Sequence, residues 1–205
     1  LELGVTIPNL RQVRSFGGTF PEDTRDVIRR AWGVPLVDIY TCEEAGYIAL
    51  QCPEFEHYHV QSENVIVEIL DEQGRACAPG EIGRVVLTRL HNFAMPLVRY
   101  AIGDYAEVGA PCSCGRGLPV LKRVLGRQRN ILTLPDGRRR WPSFPGGKWM
   151  HVAPVRQLQM IQRSRDRVDA RVVADRELTP DEKRRLIEAL QGCLGHPFDM
   201  QVEQF

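Results

Sequence analysis

Two adjacent β-rich runs in the middle of the chain constrain its fold more than any other feature. They lie in ENVIVEILDEQGRACAPGEIGRVVLTRL, residues 63–90, and turn-forming residues separate them at Asp71–Gly74 and at Pro79-Gly80. β-branched residues favour strands, whereas Asp, Gly and Pro favour the tight turns between strands. The sequence therefore predicts a β-meander in this part of the chain.

A basic segment punctuated by Gly and Pro divides the chain into two parts. This segment, GRQRNILTLPDGRRRWPSFPGGK at residues 126–148, has no hydrophobic periodicity, which is typical of a linker or hinge loop. Two β-rich runs follow it, then a helix that Thr179 caps, and then a final strand, FDMQVEQF. We therefore predict an α+β protein with one β-rich domain over residues 1–126 and a small β-β-α-β domain over residues 127–205.

Charge and hydrophobicity argue against several classes of partner. The 205-residue chain is 43% hydrophobic and 26% charged, which is ordinary for a globular protein. Its 27 Lys and Arg residues balance 26 Asp and Glu residues, and the net charge of +1 argues against binding to nucleic acid or an anionic membrane. No apolar run approaches the roughly 20 residues that span a bilayer, and no secretory pattern opens the chain. We expect a cytoplasmic protein.

Cysteine and histidine residues in two short segments suggest a metal site, although their spacing is not that of a zinc finger. Cys52 and His59 flank the loop CPEFEHYH, and Cys112 and Cys114 form the turn PCSCGRG. Three thiolates and one imidazole make a closed, structural zinc site. His57 competes with His59 as the imidazole ligand. The alternative is that Cys52 is a core residue, His59 lies on a strand and the C-x-C pair is a surface loop.

Two consecutive carboxylates, Glu43 and Glu44, directly follow a hydrophobic strand in DIYTCEEAGYIALQC. An unpaired buried charge costs several kcal/mol, so we expect a cationic or strongly polar partner there. Cys52 follows Glu44 by eight residues, and Cys112 follows Asp104 by eight residues. A metal that joined those loops would fix the two carboxylates relative to each other.

Three further motifs occur in an order that resembles a known enzyme superfamily. YTCEE, RYAIGD and GRQRN are similar to the Y-G-x-[ST]-E, [RK]-Y-x-[ST]-[GR]-D and G-R-x-D-D motifs of adenylate-forming enzymes. Together with FAMPLVRY and the β-β-α-β tail, they make the chain resemble the carboxyl-terminal half of a phenylacetate-CoA ligase-like enzyme. The resemblance implies the β-rich end of a large AMP-binding domain, followed by a small mobile carboxyl-terminal domain.

The resemblance also implies a two-step activity. A carboxylic acid attacks the α-phosphorus of ATP to form an acyl-adenylate and pyrophosphate, and the thiol of coenzyme A then displaces AMP. The implied ligands are ATP or AMP, Mg²⁺, coenzyme A and a small carboxylic acid. Whether a carrier-protein thiol or an amine replaces coenzyme A stays open, as does a homodimer.

Individual site residues follow from the same resemblance. Glu44 would hold Mg²⁺ on the phosphates, which suits a hard cation with oxygen ligands. Tyr40 would pack against the adenine, and Asp104 would accept hydrogen bonds from the ribose hydroxyls. Gly17 and Gly18, in FGGT, would line the adenine with backbone. The alternatives are that Tyr40 is a half-buried core aromatic residue and that Asp104 is a turn residue.

The hinge and the metal ligands also match the family. Arg127 would reach the nucleotide from the hinge. Family members that carry a metal place a Cys-x6-His pair after the glutamate motif and a C-x-C-G before the hinge. The matching residues, implied as structural zinc ligands, are Cys52, His59, Cys112 and Cys114.

The chain departs from the family pattern in three respects. Glu43 replaces the Ser or Thr that normally precedes the glutamate, and Arg129 and Asn130 replace the two hinge aspartates. The phosphate loop and the catalytic lysine of the family are absent from these 205 residues. We therefore expect the isolated chain to be inactive and the parent protein to be the enzyme.

A second hypothesis belongs to a different functional class. A zinc-stabilised α+β module would bind a partner or nucleic acid through GRRRW and QRSRDR and would catalyse nothing. Such basic stretches are usually solvated faces, and the near-neutral net charge argues against a strong nucleic-acid footprint.

Overall fold

The computed structural model describes residues 7–18, 20, 23–142 and 149–205. Residues 143–148, part of the predicted linker, lie outside the described ranges. The chain divides into two compact units, Leu1–Arg129 and Asn130–Phe205. Both contain strands and helical turns or helices, so the predicted α+β class is confirmed. Neither α-helix in the described ranges combines the length and apolarity that crossing a bilayer requires.

The described part of the first unit contains helix α1 (Thr24–Trp32) and an eight-stranded sheet. The strands are β1 (Val13–Phe16), β2 (Leu36–Cys42), β3 (Gly46–Gln51), β4 (Tyr58–Val60), β5 (Val65–Leu70), β6 (Ile82–Arg89), β7 (Tyr100–Val108) and β8 (Val120–Arg127). Their order in the sheet is β1-β2-β3-β4-β8-β7-β6-β5. β1 is parallel to β2, and the other neighbouring pairs are antiparallel. Because β5, β6, β7 and β8 are consecutive antiparallel neighbours, the predicted meander is confirmed.

Local turn chemistry closes two hairpins, of which the sequence predicted the turn at Asp71–Gly74. Between β5 and β6, one carboxylate oxygen of Asp71 accepts hydrogen bonds from the backbone N–H groups of Gln73 and Arg75, both at 2.9 Å. Between β2 and β3, Gly46 has a φ of +67°, which glycine adopts without steric cost. Glu43 and Glu44 therefore lie in the tight turn of this hairpin.

The first sheet is strongly curled around one core. β2 and β7 are four strands apart in the sheet order, so about 19 Å would separate them in a flat sheet with strands about 4.8 Å apart. Yet the Tyr40 hydroxyl on β2 lies 2.7 Å from a carboxylate oxygen of Asp104 on β7. Buried residues from all strands between β2 and β7 form a single cluster that includes Ile48, Val60, Leu121 and Ile102. The curl is therefore what brings two distant motifs together.

The second unit has its own core, which a helix and a three-stranded sheet enclose. Its elements are β9 (Leu132–Thr133), β10 (Arg139–Arg140), β11 (Val155–Gln162), β12 (Arg167–Ala174), α2 (Pro180–Leu194) and β13 (Asp199–Gln204). β12 is antiparallel to β11 and parallel to β13, with α2 as the crossover between them. Leu186, Leu190 and Leu194 recur at helical spacing and pack with the inward residues of β12. This arrangement confirms the predicted β-β-α-β order.

The start of α2 is fixed by a reciprocal capping box. The Thr179 hydroxyl accepts a hydrogen bond from the Glu182 backbone N–H at 3.2 Å, and the Glu182 carboxylate accepts one from the Thr179 N–H at 2.9 Å. Arg176 donates to both oxygens of that carboxylate, at 2.7 and 2.8 Å. These hydrogen bonds, with those from Arg176 foremost, lower the pKa of Glu182 to about 2.

We expect Glu182→Gln to lower the melting temperature at pH 7, and to lower it much less at pH 2. The folded-state pKa is depressed below the usual 4.5, so the ionised carboxylate contributes its stability above pH 4.5 and loses it as the pH falls toward 2. Thermal unfolding of both proteins across this range measures the difference. Glu188→Gln, which removes an exposed carboxylate from the same helix, is the control. An equal effect of Glu182→Gln at both pH values would contradict this account.

Candidate functional site

The buried carboxylate of Asp104 is the centre of a three-residue cluster. Its Oδ2 accepts a hydrogen bond from the Tyr40 hydroxyl at 2.7 Å, and its Oδ1 lies 3.1 Å from Nε of Arg127. Asp104 and Tyr40 are only 6% and 8% exposed. Arg127 also donates from Nη1 to the carbonyl oxygen of Ile102 at 2.7 Å. The structure thus joins one residue from each of the three motifs.

A bulge in β7 aims Asp104 into this cluster. Arg84 pairs with Tyr105 and Val86 pairs with Ala101, so one residue of β6 faces three residues of β7. Gly103 lies in that bulge with a φ of +82°, a conformation that glycine adopts readily. The glycine that precedes Asp104 in the motif is therefore required by the backbone. The alternative interpretation of Asp104 as a turn residue does not describe its position, because it lies within β7.

Burial and the neighbouring carboxylate determine the state of the Tyr40 hydroxyl. Burial raises the pKa of Tyr40 far above its usual value, and the negative charge of Asp104 raises it further. The phenol therefore keeps its proton across the physiological pH range and acts as a donor to Asp104. Sequence reasoning assigned only the ring of Tyr40 to a role and missed the hydroxyl.

The two glycines of FGGT follow β1 at the end of the sheet where Tyr40 lies on the neighbouring strand β2. β1 and β2 are parallel, and Phe16 pairs with Ile39, so the next residue, Gly17, continues the register toward Tyr40. Gly17 has a φ of +79°, and both Gly17 and Gly18 are exposed, with open space where a Cβ would lie. The backbone at this edge is therefore open to a ligand.

Glu44 lies at the β2–β3 turn, apart from the three-residue cluster. It is half-buried, while Glu43 is exposed. Arg89 donates to the Glu44 carbonyl oxygen at 3.4 Å, a contact that the sequence did not predict. Among the described residues, neither a hydrogen bond nor an ion pair joins Glu44 to Tyr40, Asp104 or Arg127.

Two open cavities border these residues. One of about 570 Å³ is lined by Gly103, Arg127, Gln128 and Arg129, next to the buried carboxylate. The other, of about 490 Å³, borders the Glu44 turn, and its lining includes Ala45, Gly46 and Arg89. A ligand in the larger cavity could therefore contact residues of two of the motifs, and a ligand in the smaller one would lie next to the Glu44 turn.

The predicted metal ligands form a second cluster, together with His57. Cys52 Sγ lies 4.0 Å from Cys112 Sγ, and Cys114 Sγ lies 3.3 Å from His59 Nε2. Donor atoms of Cys52, His57, His59 and Cys112 all lie within 4.8 Å of one another. These four donors are as many as a tetrahedral metal needs, and Cys114, which contacts His59, is a fifth candidate ligand beside them.

The chemistry of these donors fits a zinc ion. The three cysteines are free thiols, and the buried His57 Nε2 and His59 Nδ1 atoms have no hydrogen-bond partner among the described residues. Burial, and then the neighbouring His57, lower the pKa of His59, which favours the neutral imidazole that binds metals. The backbone N–H of Arg116 is the main cause that lowers the pKa of Cys114 to about 7, which favours its thiolate.

The fold is similar to that of several solved CoA ligases. o-Succinylbenzoate CoA synthetase from Bacillus subtilis, solved with its acyl-adenylate intermediate, is 16% identical, with a TM-score of 0.65 over 100% of this chain and 44% of that one. 2-Hydroxyisobutyryl-CoA ligase in the postadenylation state is 19% identical, with a TM-score of 0.62 over 94% of this chain and 44% of that one.

One relative is similar to the chain in sequence. The chain is 29% identical over 118 residues to phenylacetate-coenzyme A ligase from Thermus thermophilus. The aligned region covers 55% of this chain and 26% of that protein. No protein-family model matches the chain. The predicted resemblance to phenylacetate-CoA ligase-like enzymes is thereby confirmed. The chain spans about a quarter of the length of this relative and less than half of the solved ligases.

Proposed function

We propose that this chain forms the ribose-binding side of the nucleotide site in an ATP-dependent acid-CoA ligase that forms an acyl-adenylate and then a CoA thioester. The observation that carries the proposal is the buried Asp104 carboxylate, which Tyr40 and Arg127 hold from two other motifs. Three separate segments converge on one carboxylate, in the order that adenylate-forming enzymes use. This convergence distinguishes the proposal from a chance match of three short motifs.

Asp104 is suited to bind two neighbouring hydroxyl groups. A carboxylate offers about four acceptor positions, of which Tyr40 and Arg127 occupy two. The remaining position on each oxygen accepts one ribose hydroxyl. Arg127 neutralises the carboxylate. It also lines the larger of the two cavities, so it would contact a nucleotide bound there.

Tyr40, Gly17 and Gly18 form the adenine side of the site in this proposal. The parallel register of β1 and β2 brings both segments to the same edge. Tyr40 packs in the core and is 8% exposed, so the adenine would contact the edge of its ring that remains accessible. The two glycines allow close approach of the backbone.

Glu44 is the residue that would hold Mg²⁺, which neutralises charge on the phosphates when it is bound. Glu44 is half-buried at a hairpin turn, a position from which its carboxylate could reach such a cation. Glu43 is exposed, so water screens the charge that would otherwise repel phosphate.

The metal cluster has a structural role in this proposal. Cys52, His57 or His59, Cys112 and Cys114 supply enough ligands to fill four positions, which leaves none for chemistry. The ion would tie the loop after β3 to the loop before β8. We further propose that residues 1–126 belong to the AMP-binding domain and residues 127–205 to the small mobile domain of a cytoplasmic enzyme.

Acid-dependent exchange of labelled pyrophosphate into ATP tests the proposal directly. The complete protein should catalyse exchange with at least one acid from a panel of aryl, arylacetic and fatty acids, and coenzyme A should then yield the thioester. Exchange with none of these acids would contradict the proposal. Salt-sensitive retention on nucleic acid, without any effect of nucleotide, would favour the non-catalytic module instead.

A further inference from the structure

The Tyr40 hydroxyl makes a contact that the proposed adenine-packing role does not require. A phenylalanine ring would provide the same aromatic surface, and the backbone pairing of β2 with β1 and β3 does not involve the Tyr40 hydroxyl. Nevertheless, this buried hydroxyl lies 2.7 Å from Asp104 Oδ2, across four strand positions of the sheet. Burying a polar pair is favourable only when its hydrogen bond is made, so the contact calls for an explanation.

The geometry of the two donors fixes the plane of the Asp104 carboxylate. Rotation about the terminal bond of an Asp side chain is broad and roughly two-fold, so the backbone alone does not set it. Arg127 holds Oδ1, and Tyr40 holds Oδ2. Arg127 is itself held by the Ile102 carbonyl, whereas Tyr40 approaches from a different strand. With one donor on each oxygen, the carboxylate has a single orientation before any ligand arrives.

We propose that the Tyr40 hydroxyl is a positioning group that orients Asp104 for the two vicinal hydroxyls of the ribose. The inference rests on the proposed function and adds to it a specific source of selectivity for ribonucleotides. A pre-oriented carboxylate presents one free acceptor position on each oxygen to neighbouring hydroxyls, so the ligand does not have to order the side chain. Burial keeps the phenol protonated, so it donates at every pH at which the protein works.

Tyr40→Phe in the complete protein is the direct test, with ATP, 2′-deoxy-ATP and 3′-deoxy-ATP as substrates in pyrophosphate exchange. The variant keeps the ring and removes only the donor. We expect the KM for ATP to rise about tenfold or more, as expected for a lost hydrogen bond to a charged group, with kcat changed much less. The rise in KM should be smaller for the deoxy analogue that lacks the hydroxyl group donating to Oδ2, because that analogue does not use the oriented oxygen. Equal rises for ATP and both deoxy analogues would overturn the inference.

Tyr58→Phe is a matched control from the same unit. The Tyr58 hydroxyl also donates to a largely enclosed carboxylate, Asp38, at 2.5 Å, and burial raises the pKa of that phenol as well. Its loss should lower the melting temperature without changing the ratio of the KM values for ATP and the deoxy analogues. A changed ratio in Tyr58→Phe would show that the readout reports general destabilisation, and the inference would fail.

Two further substitutions keep the test decisive if Tyr40→Phe does not fold. Replacement of Tyr40 by 4-aminophenylalanine retains an N–H donor on the same ring and should preserve discrimination against the deoxy analogues. Replacement by 4-fluorophenylalanine retains the size, removes the donor and should lose that discrimination. Identical discrimination in both variants would overturn the positioning role. Failure of the unaltered protein to catalyse exchange would instead overturn the proposed function, so the two failures are distinguishable.

Discussion

Asp104→Asn is expected to reduce acid-dependent pyrophosphate exchange by about a hundredfold or more, because two hydrogen bonds to a charged acceptor are lost at once. An asparagine amide offers one acceptor oxygen, and its NH₂ group would face a donor, either Tyr40 or Arg127. It therefore cannot satisfy both neighbours and two ribose hydroxyls. Initial rates of exchange at saturating acid, with circular dichroism to confirm the fold, measure the effect.

Glu107→Gln is the matched control for this prediction. Glu107 lies on the same strand, is 4% exposed, and pairs with Lys122 at 2.7 Å and Arg123 at 2.6 Å on β8. The side-chain hydrogen bond from Lys122 is the main cause that lowers its pKa. Both substitutions should destabilise the protein, but only the change at Asp104 should remove exchange. Unaltered exchange in Asp104→Asn would defeat the assignment of this residue.

If the proposed zinc ion is bound, Cys52→Ser is expected to remove it and to lower the free energy of unfolding by more than about 3 kcal/mol, because structural zinc contributes directly to folding. Cys52 is 3% exposed, and its backbone N–H donates to the His57 carbonyl at 2.8 Å. Losing its thiolate would remove a metal ligand at the start of the loop that carries His57. Metal analysis of the purified protein and urea denaturation measure the two effects.

The remaining cysteines and histidines provide the controls for the zinc prediction. Cys77→Ser changes a half-buried thiol outside the cluster and should leave the zinc content unchanged. Separate Cys114→Ser and His57→Ala variants decide which residue completes the four ligands, because only the true ligand should reduce the zinc affinity. Less than half an equivalent of zinc in the unaltered protein would contradict the site.

Local chemistry made much of the fold predictable. The Asp71 turn and the Thr179 cap depend on contacts within a few residues, and the sequence displays those directly. The β-meander was predictable because turn-forming residues separate its β-rich runs. The contact between Tyr40 and Asp104 depends instead on how far the sheet curls. Apolar patterning predicts that β2 and β7 are strands, but it does not predict that residues 64 positions apart will meet.

The role of His57 was open in the sequence for a related reason. His57 and His59 are two residues apart, and alternation along an extended chain directs such residues to the same side. Such a period allows both imidazoles to face Cys52, which is consistent with their shared donor cluster. Sequence spacing does not select four ligands from five, because the selection depends on distances between atoms from two loops.

The position of Arg127 as the last residue of β8 has a mechanical consequence. Its guanidinium is anchored at two points, to Asp104 and to the Ile102 carbonyl, and the 3₁₀ turn Gln128–Asn130 begins immediately afterwards. These two contacts would resist a twist of the chain after residue 127, so such a twist would not reach β8. If the small domain rotates as we propose, the rotation would therefore be confined to residues 128–130 and would leave the Asp104 carboxylate in place.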